Sequence, residues 1–234
     1  MLASVTAADF RTRPEHRWPV VVAVMVAIGL YVLLPGAFLP GFRYTIAGIC
    51  ALLLIPLIVL NPVRLTRETR LSRGLSVSLA VVLLVANQVA LVQLGYQLLV
   101  AHNADAPGIL LAAVQVWVSN VIAYAIIYWE LDRGGPVARR RDARADLPPA
   151  DFRFPQDEDH DAVTEVAARS SARADWSPQF FDYLYFSTTD AMAFSPTDVM
   201  PLSMRAKVFM LIESVSGFAI LALVIARAVN VMDS

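Results

Sequence analysis

The residues with chemistry in them gather near the C-terminus. From Asp182 to Asp198 the chain reads Asp-Tyr-Leu-Tyr-Phe-Ser-Thr-Thr-Asp-Ala-Met-Ala-Phe-Ser-Pro-Thr-Asp. The hydroxyls of Thr188, Thr189, Ser195 and Thr197 and the carboxylates of Asp190 and Asp198 could line a hydrated ion path. Carboxylates repeated around a ring of subunits favour cations. Glu213 lies one to two turns inside a later apolar run, where an ionisable group is costly and must face protein, water or a cation. His16, His102 and His160 are scattered in loops, and no zinc spacing, nucleophile elbow, phosphate loop or dinucleotide fingerprint occurs.

These residues have to be positioned by helices in lipid. Of 234 residues 57% are hydrophobic and 17% charged, with mean hydropathy +0.57, whereas a soluble domain carries about 25% charged residues. A formal net charge of −1 gives no reason to expect a nucleic-acid partner. Cys50 is the single cysteine, which excludes an intrachain disulfide. Apolar stretches at 18–34, 42–60, 75–101, 108–129 and 207–229 each approach the ~20 residues that cross a bilayer core. The first is short and contains Pro19. The chain is therefore expected to be all-α, a polytopic transmembrane helical bundle of about five spanning helices plus a re-entrant, pore-like hairpin. Its organisation is an N-terminal arm (1–17), a four-helix transmembrane region (18–130), a polar linker (131–177), and the hairpin with the last helix (178–234).

Arginine placement sets the expected orientation. Arg11, Arg13 and Arg17 precede the first helix, and Arg64, Arg67, Arg70 and Arg73 fill the second-to-third loop. Arg133, Arg139, Arg140, Arg141 and Arg144 follow the fourth helix. The opposite side has only Arg43, so the N-terminus and the linker should be cytoplasmic in a multi-pass cell (inner) membrane protein. The linker reads either as a flexible charged connector or as a segment that docks through Phe152, Phe154 and Trp176. Asn87, Gln88, Gln93 and Gln97 on the third helix and Gln115, Ser119 and Asn120 on the fourth either bond the helices together or line a hydrated path. The span 180–191 reads as a short amphipathic helix after the Ser177-Pro178 cap signal, and Pro196 stops any continuation. Asp182 and Asp190 make 178–194 a poor sixth span, so a hairpin entering from the cytoplasmic face is expected.

Asp182-Tyr-Leu-Tyr-Phe-Ser, then Asp198-Val-Met-Pro201, then a long helix, resembles the pore-helix, filter and inner-helix unit of tetrameric potassium channels. Aligned on Asp198 and Pro201, the filter positions hold Ala193, Phe194, Ser195, Pro196 and Thr197, so the filter is degenerate. Without its glycines, a ring of backbone carbonyls cannot take the geometry that strips a potassium ion of water. The chain also resembles an uncharacterised family of bacterial integral membrane proteins. The shared phrases are Tyr128-Trp-Glu-Leu-Asp-Arg-Gly-Gly-Pro136, Phe152-Arg-Phe-Pro-Gln156, Ala193-Phe-Ser-Pro-Thr-Asp198 and Ala226-Arg-Ala-Val-Asn230.

Three functions fit these observations. The first is an ion-channel-like membrane protein, a homo-oligomer such as a tetramer. It would give monovalent or divalent cations a poorly selective path along Thr188, Thr189, Asp190, Ser195, Thr197, Asp198 and Glu213, without a potassium-type filter. The second is a non-conducting membrane scaffold or sensor with a vestigial pore-like hairpin. The third, a membrane enzyme or metal transporter, would use Asp182, Asp190, Asp198 and Glu213. No cofactor and no catalytic residue is expected, and the lipid bilayer is a partner in all three.

Overall fold

A helix whose residues are buried on every side must sit at the centre of a bundle, and residues 121–130 are such a run. The computed structural model describes residues 14–35, 40–61, 63–65, 69–100, 106–158, 163–170, 176–192 and 198–232. Its main elements are α1 (Trp18–Val32), α2 (Pro40–Leu60), α3 (Arg70–Leu99), α4 (Ala106–Leu131), α5 (Pro136–Arg141), β1 (Phe152–Arg153), α6 (Thr164–Ala167), α7 (Phe180–Met192), β2 (Met200–Pro201) and α8 (Met204–Met232). α4 is the central helix, packed against α1, α3, α7 and α8, while α2 flanks α1 and α3.

The outer helices are apolar on the outside as well. Leu52, Ile55 and Val59 on α2, Val85, Val92 and Tyr96 on α3, and Leu211, Val215, Phe218 and Ile225 on α8 are all exposed. Their spacing of three, four or seven residues marks one outward stripe per helix. Four helices are long and apolar enough to cross a membrane: Gly41–Leu60, Arg70–Leu99, Pro107–Gly134 and Met204–Arg227. α1, read from sequence as a fifth span, has 15 residues. At 1.5 Å per residue that is about 22 Å, short of a hydrocarbon core of ~30 Å.

The third helix begins five residues earlier than its apolar pattern, at Arg70. The Thr69 hydroxyl accepts from Ser72 N at 3.0 Å and Ser72 Oγ accepts from Thr69 N at 2.9 Å, a reciprocal cap. Arg70 and Arg73, expected in a loop, therefore lie in the first turn of α3.

The linker is docked on the bundle at 132–139 and again at 151–154, with 141–149 largely exposed between. Arg133, Gly134 and Gly135 take φ of 51°, 81° and 96° in succession, and glycine makes such a reversal inexpensive. A Cβ on Gly135 would stand 2.9 Å from Arg73 Nη1. β1 then pairs antiparallel with β2, Phe152 opposite Pro201 and Arg153 opposite Met200. Phe152 and Phe154 are buried. Phe152 packs edge-on to Tyr128 and Phe186 at 5.0 and 5.2 Å, and Phe154 to Tyr183 at 5.4 Å.

Helix polarity follows from paired contacts. The Phe180 ring meets Trp129 at 6.0 Å, and Ser187 Oγ donates to Val121 O, so α7 runs antiparallel to α4. Arg205 Nη2 donates to Leu131 O and Tyr128 to Glu213, so α8 is also antiparallel to α4 and runs alongside α7. α7 thus starts at the α4 C-terminal end and penetrates about 20 Å by helical rise. By β2 the chain is back at that same end. Residues 193–197, which include Ser195, Pro196 and Thr197, lie outside the described residues.

Close approach of α7 and α8 depends on Gly217. A Cβ there would stand 2.4 Å from the carbonyl oxygen of Ala191, backbone that cannot yield like a side chain. Gly217→Ala should force the α7 tip away from α8 and cost about 1–3 kcal/mol. Thermal unfolding in detergent checks this, and an unchanged midpoint would show that the tip is not held there.

Candidate functional site

Two buried polar centres hold the hairpin. The deeper one is built on Glu213, which is 0% exposed on α8, with Asp190, 2% exposed, on α7. Tyr128 OH donates to Glu213 Oε2 at 2.6 Å. Ser187 Oγ contacts Glu213 Oε1 and is also 2.8 Å from Val121 O. A serine has one hydroxyl proton and cannot donate in both directions. Asp190 adjoins Glu213 and Ser214, and its Oδ2 has no hydrogen-bond partner among the described residues. The two Ser187 contacts are reconciled if Glu213 carries a proton on Oε1. A protonated Glu213 then donates to Ser187, and Ser187 donates to Val121 O.

Around this centre runs a band of amides and hydroxyls. Asn87 Nδ2 donates to Asn120 Oδ1 at 2.6 Å, Gln88 Nε2 to Tyr124 OH at 3.3 Å, and Ser216 Oγ to Gln88 Oε1 at 3.3 Å. Gln115 Nε2 reaches Leu33 O at 3.4 Å. These bonds join α1, α3, α4 and α8, which is interhelical adhesion. Gln93 and Gln97 are half-buried on α3, and Ser119 is buried on α4.

The second centre lies where α4 ends. Asp132, 0% exposed, accepts through Oδ1 from Asp151 N at 2.8 Å and Phe152 N at 3.3 Å, and through Oδ2 from Tyr183 OH at 2.6 Å. One carboxylate thereby ties α4, β1 and α7. Asp151 accepts from Ser203 Oγ and from Arg205, Nε at 2.7 Å, which fixes the start of α8. Arg133 donates to Phe152 O at 3.2 Å and to Asp157 at 2.5 Å. Ser76 donates to Glu130, and Arg73 to Gly134 O.

Glu15 caps α7 from across the bundle. Its Oε1 accepts from Phe180 N at 2.7 Å, and both oxygens accept from Trp129 Nε1 at 3.2 Å. Burial raises the Glu15 carboxyl above its ordinary 4.5. The nearby Arg139 and the bonds from Phe180 and Trp129 offset this only in part. In the unfolded chain the group ionises near 4.5, while the folded chain keeps its proton to higher pH. Between those values the folded state binds more protons, so stability falls as pH rises and levels once the folded value is passed. Unfolding midpoints in detergent should decline above pH 4.5, and Glu15→Gln should flatten that decline. An unaltered slope in the variant would count against this assignment.

Of the residues chosen from sequence, Asp190 and Glu213 are brought together. Thr188 Oγ1 donates to Leu184 O at 2.7 Å and Thr189 Oγ1 to Phe186 O at 2.8 Å, so both hydroxyls serve their own helix. Asp198 is exposed just before β2, apart from the carboxyl pair. Ser195 and Thr197 lie outside the described residues. Asp182 caps its own turn, accepting from Gln179 N at 2.7 Å. Among the described residues no group of three His, Cys, Asp or Glu side chains could hold a metal.

Sequence reading did not single out Tyr128, Asp132, Glu15, Arg139, Ser187 or Gly217. The available signal was the phrase at 128–136, unusually polar for the end of an apolar helix. No family model, curated protein or solved structure matches the chain. What these centres do is therefore argued from their geometry.

Proposed function

We propose that this chain is a non-enzymatic scaffold or sensor of the cell membrane, with residues 178–201 forming a re-entrant hairpin that acts as a clasp and does not conduct. Its arginine-rich end, where Arg17, Arg73, Arg133, Arg139 and Arg205 meet the ends of α1, α3, α4 and α8, is the cytoplasmic one by the positive-inside rule. The hairpin enters from that face.

One observation carries this reading: the hydroxyls of Ser187, Thr188 and Thr189 on α7 are spent inside the subunit. Thr188 and Thr189 bond their own helix, and Ser187 is engaged by Val121 and Glu213. A path-lining helix needs such groups turned towards the path. The unpartnered Asp190 Oδ2 favours a second reading, in which homo-oligomerisation, as a tetramer for example, opens a poorly selective cation path beside that carboxylate. Reconstitution into planar bilayers with sodium, potassium or calcium separates the two. Scaffold function predicts no current. Single-channel steps that change in Asp190→Asn or Asp198→Asn would establish the conducting reading instead.

A further inference from the structure

The arginine-rich end holds a second feature that the hairpin does not use. A cavity of about 300 Å³ lies between α5 and the linker, bordered by Arg133, Arg139, Arg140, Arg144, Asp142 and Asp157. Both carboxylates are already matched: Asp157 by Arg133 at 2.5 Å, and Asp142 by Arg141 at 2.7 Å. Arg144 Nη2 donates to Trp176 O at 2.5 Å and Arg140 Nη2 to Ser177 O at 3.3 Å, bringing the far end of the linker to the cavity wall. The wall is thus strongly cationic.

Arg139 distinguishes this cavity from a solvated basic patch. It is 5% exposed, and its plane lies over the Tyr183 ring at 5.1 Å. Its Nη1 donates to Trp129 O and Asp132 O, each at 2.7 Å. Its Nε and Nη2 are buried and have no acceptor among the described residues. Those two nitrogens are the side-on fork of a guanidinium, the pair that grips two oxygens of one oxyanion. A buried charged donor without an acceptor is costly. The two acids whose charges interact with Arg139 are engaged elsewhere, Glu15 by Phe180 N and Trp129 and Asp182 by Gln179 N.

We propose that this cavity binds a phosphate group, towards which the Arg139 side chain shifts so that Nε and Nη2 hold two of its oxygens, with Arg140 and Arg144 supplying the surrounding positive field. Guanidinium suits phosphate because it is planar, permanently charged and weakly hydrated. The cavity has room for more than a bare anion, so the ligand is a phosphate ester. A soluble compound and an anionic lipid headgroup offer the same chemistry at a membrane-facing end. This inference does not depend on whether the hairpin conducts.

The test uses the full chain, first in a neutral detergent and then in nanodiscs. Pyrophosphate is titrated at constant ionic strength, with chloride as the control, by calorimetry and by the shift in unfolding midpoint. Saturable binding and a raised midpoint are expected, with affinity falling at least about tenfold in Arg139→Lys, which keeps the charge and loses the fork. Arg144→Gln, a change at a more exposed position, should weaken binding about threefold and guards against a folding defect in the first variant. Nanodiscs of phosphatidylcholine alone are then compared with nanodiscs containing phosphatidic acid. If phosphatidic acid raises the midpoint and abolishes the pyrophosphate response, the occupant is a headgroup. If pyrophosphate still binds, it is a soluble phosphate ester. No saturable binding of either probe, or binding equal in wild type and both variants, overturns the proposal.

Discussion

Asp132→Ala is expected to unfold the docked linker and lower global stability by about 3–5 kcal/mol, the cost of breaking a fully buried charged hydrogen-bond centre. The carboxylate is 0% exposed. Its loss strands Asp151 N, Phe152 N and Tyr183 OH together, each a buried donor that water cannot reach. The damage should also spread along the chain. β1 loses the bonds that seat it, β2 loses its pairing partner, and Asp151 no longer presents its carboxylate to Arg205 at the head of α8. Asp132→Asn should cost less, about 1–2 kcal/mol, because one oxygen still accepts from the backbone while the new amide opposes the Tyr183 hydroxyl. Unfolding midpoints in detergent and protease sensitivity between 140 and 175 measure both variants. Equal stability of Asp132→Ala and wild type would remove the linker from the fold.

At Glu213 the two obvious substitutions should diverge. Glu213→Ala empties a buried site and leaves Tyr128, Ser187 and Asp190 without their partner, at about 3–5 kcal/mol. Glu213→Gln is nearly isosteric. Its amide oxygen accepts from Tyr128 and its NH₂ donates to Ser187, the pattern the hydroxyl count assigns to a protonated carboxyl. It should fall within about 1 kcal/mol of wild type. Denaturation in mixed micelles reads the difference. If glutamine is as damaging as alanine, the proton does not sit on Glu213, and the network needs a charge there.

The helices were legible because lipid makes their signal long and simple. A run such as 108–129 carries no charged residue, is apolar for most of its length and needs no partner to be recognised. Element ends were less legible wherever a local cap decided them, as with Thr69 and Ser72, which carry α3 back past its first apolar residue. The short reach of α1 was visible in Pro19 and in the turn residues after Leu34. Asp190 and Glu213 were legible as expensive residues in apolar surroundings, but not as a pair. The linker offered two readings, and its charges alone could not choose between them. Phe152 and Phe154 decide for docking only because Tyr128, Tyr183 and Phe186 provide an aromatic surface to receive them.

By itself the sequence determined the all-α character, the long apolar helices, the short helix over 180–191 and the concentration of arginine at one end. These follow from local composition and from the rise of a helix against the thickness of a bilayer. The tertiary structure alone decided which polar groups meet. Glu213 finds Tyr128 85 residues away, and Glu15 caps a helix 165 residues downstream. Such bonds form where packed helices bring distant side chains within about 3 Å, a condition on three-dimensional distance that residue order does not encode directly. The same holds for Arg139. A basic residue in a basic stretch becomes a candidate binding group only once burial has taken its water and left two of its donors without an acceptor.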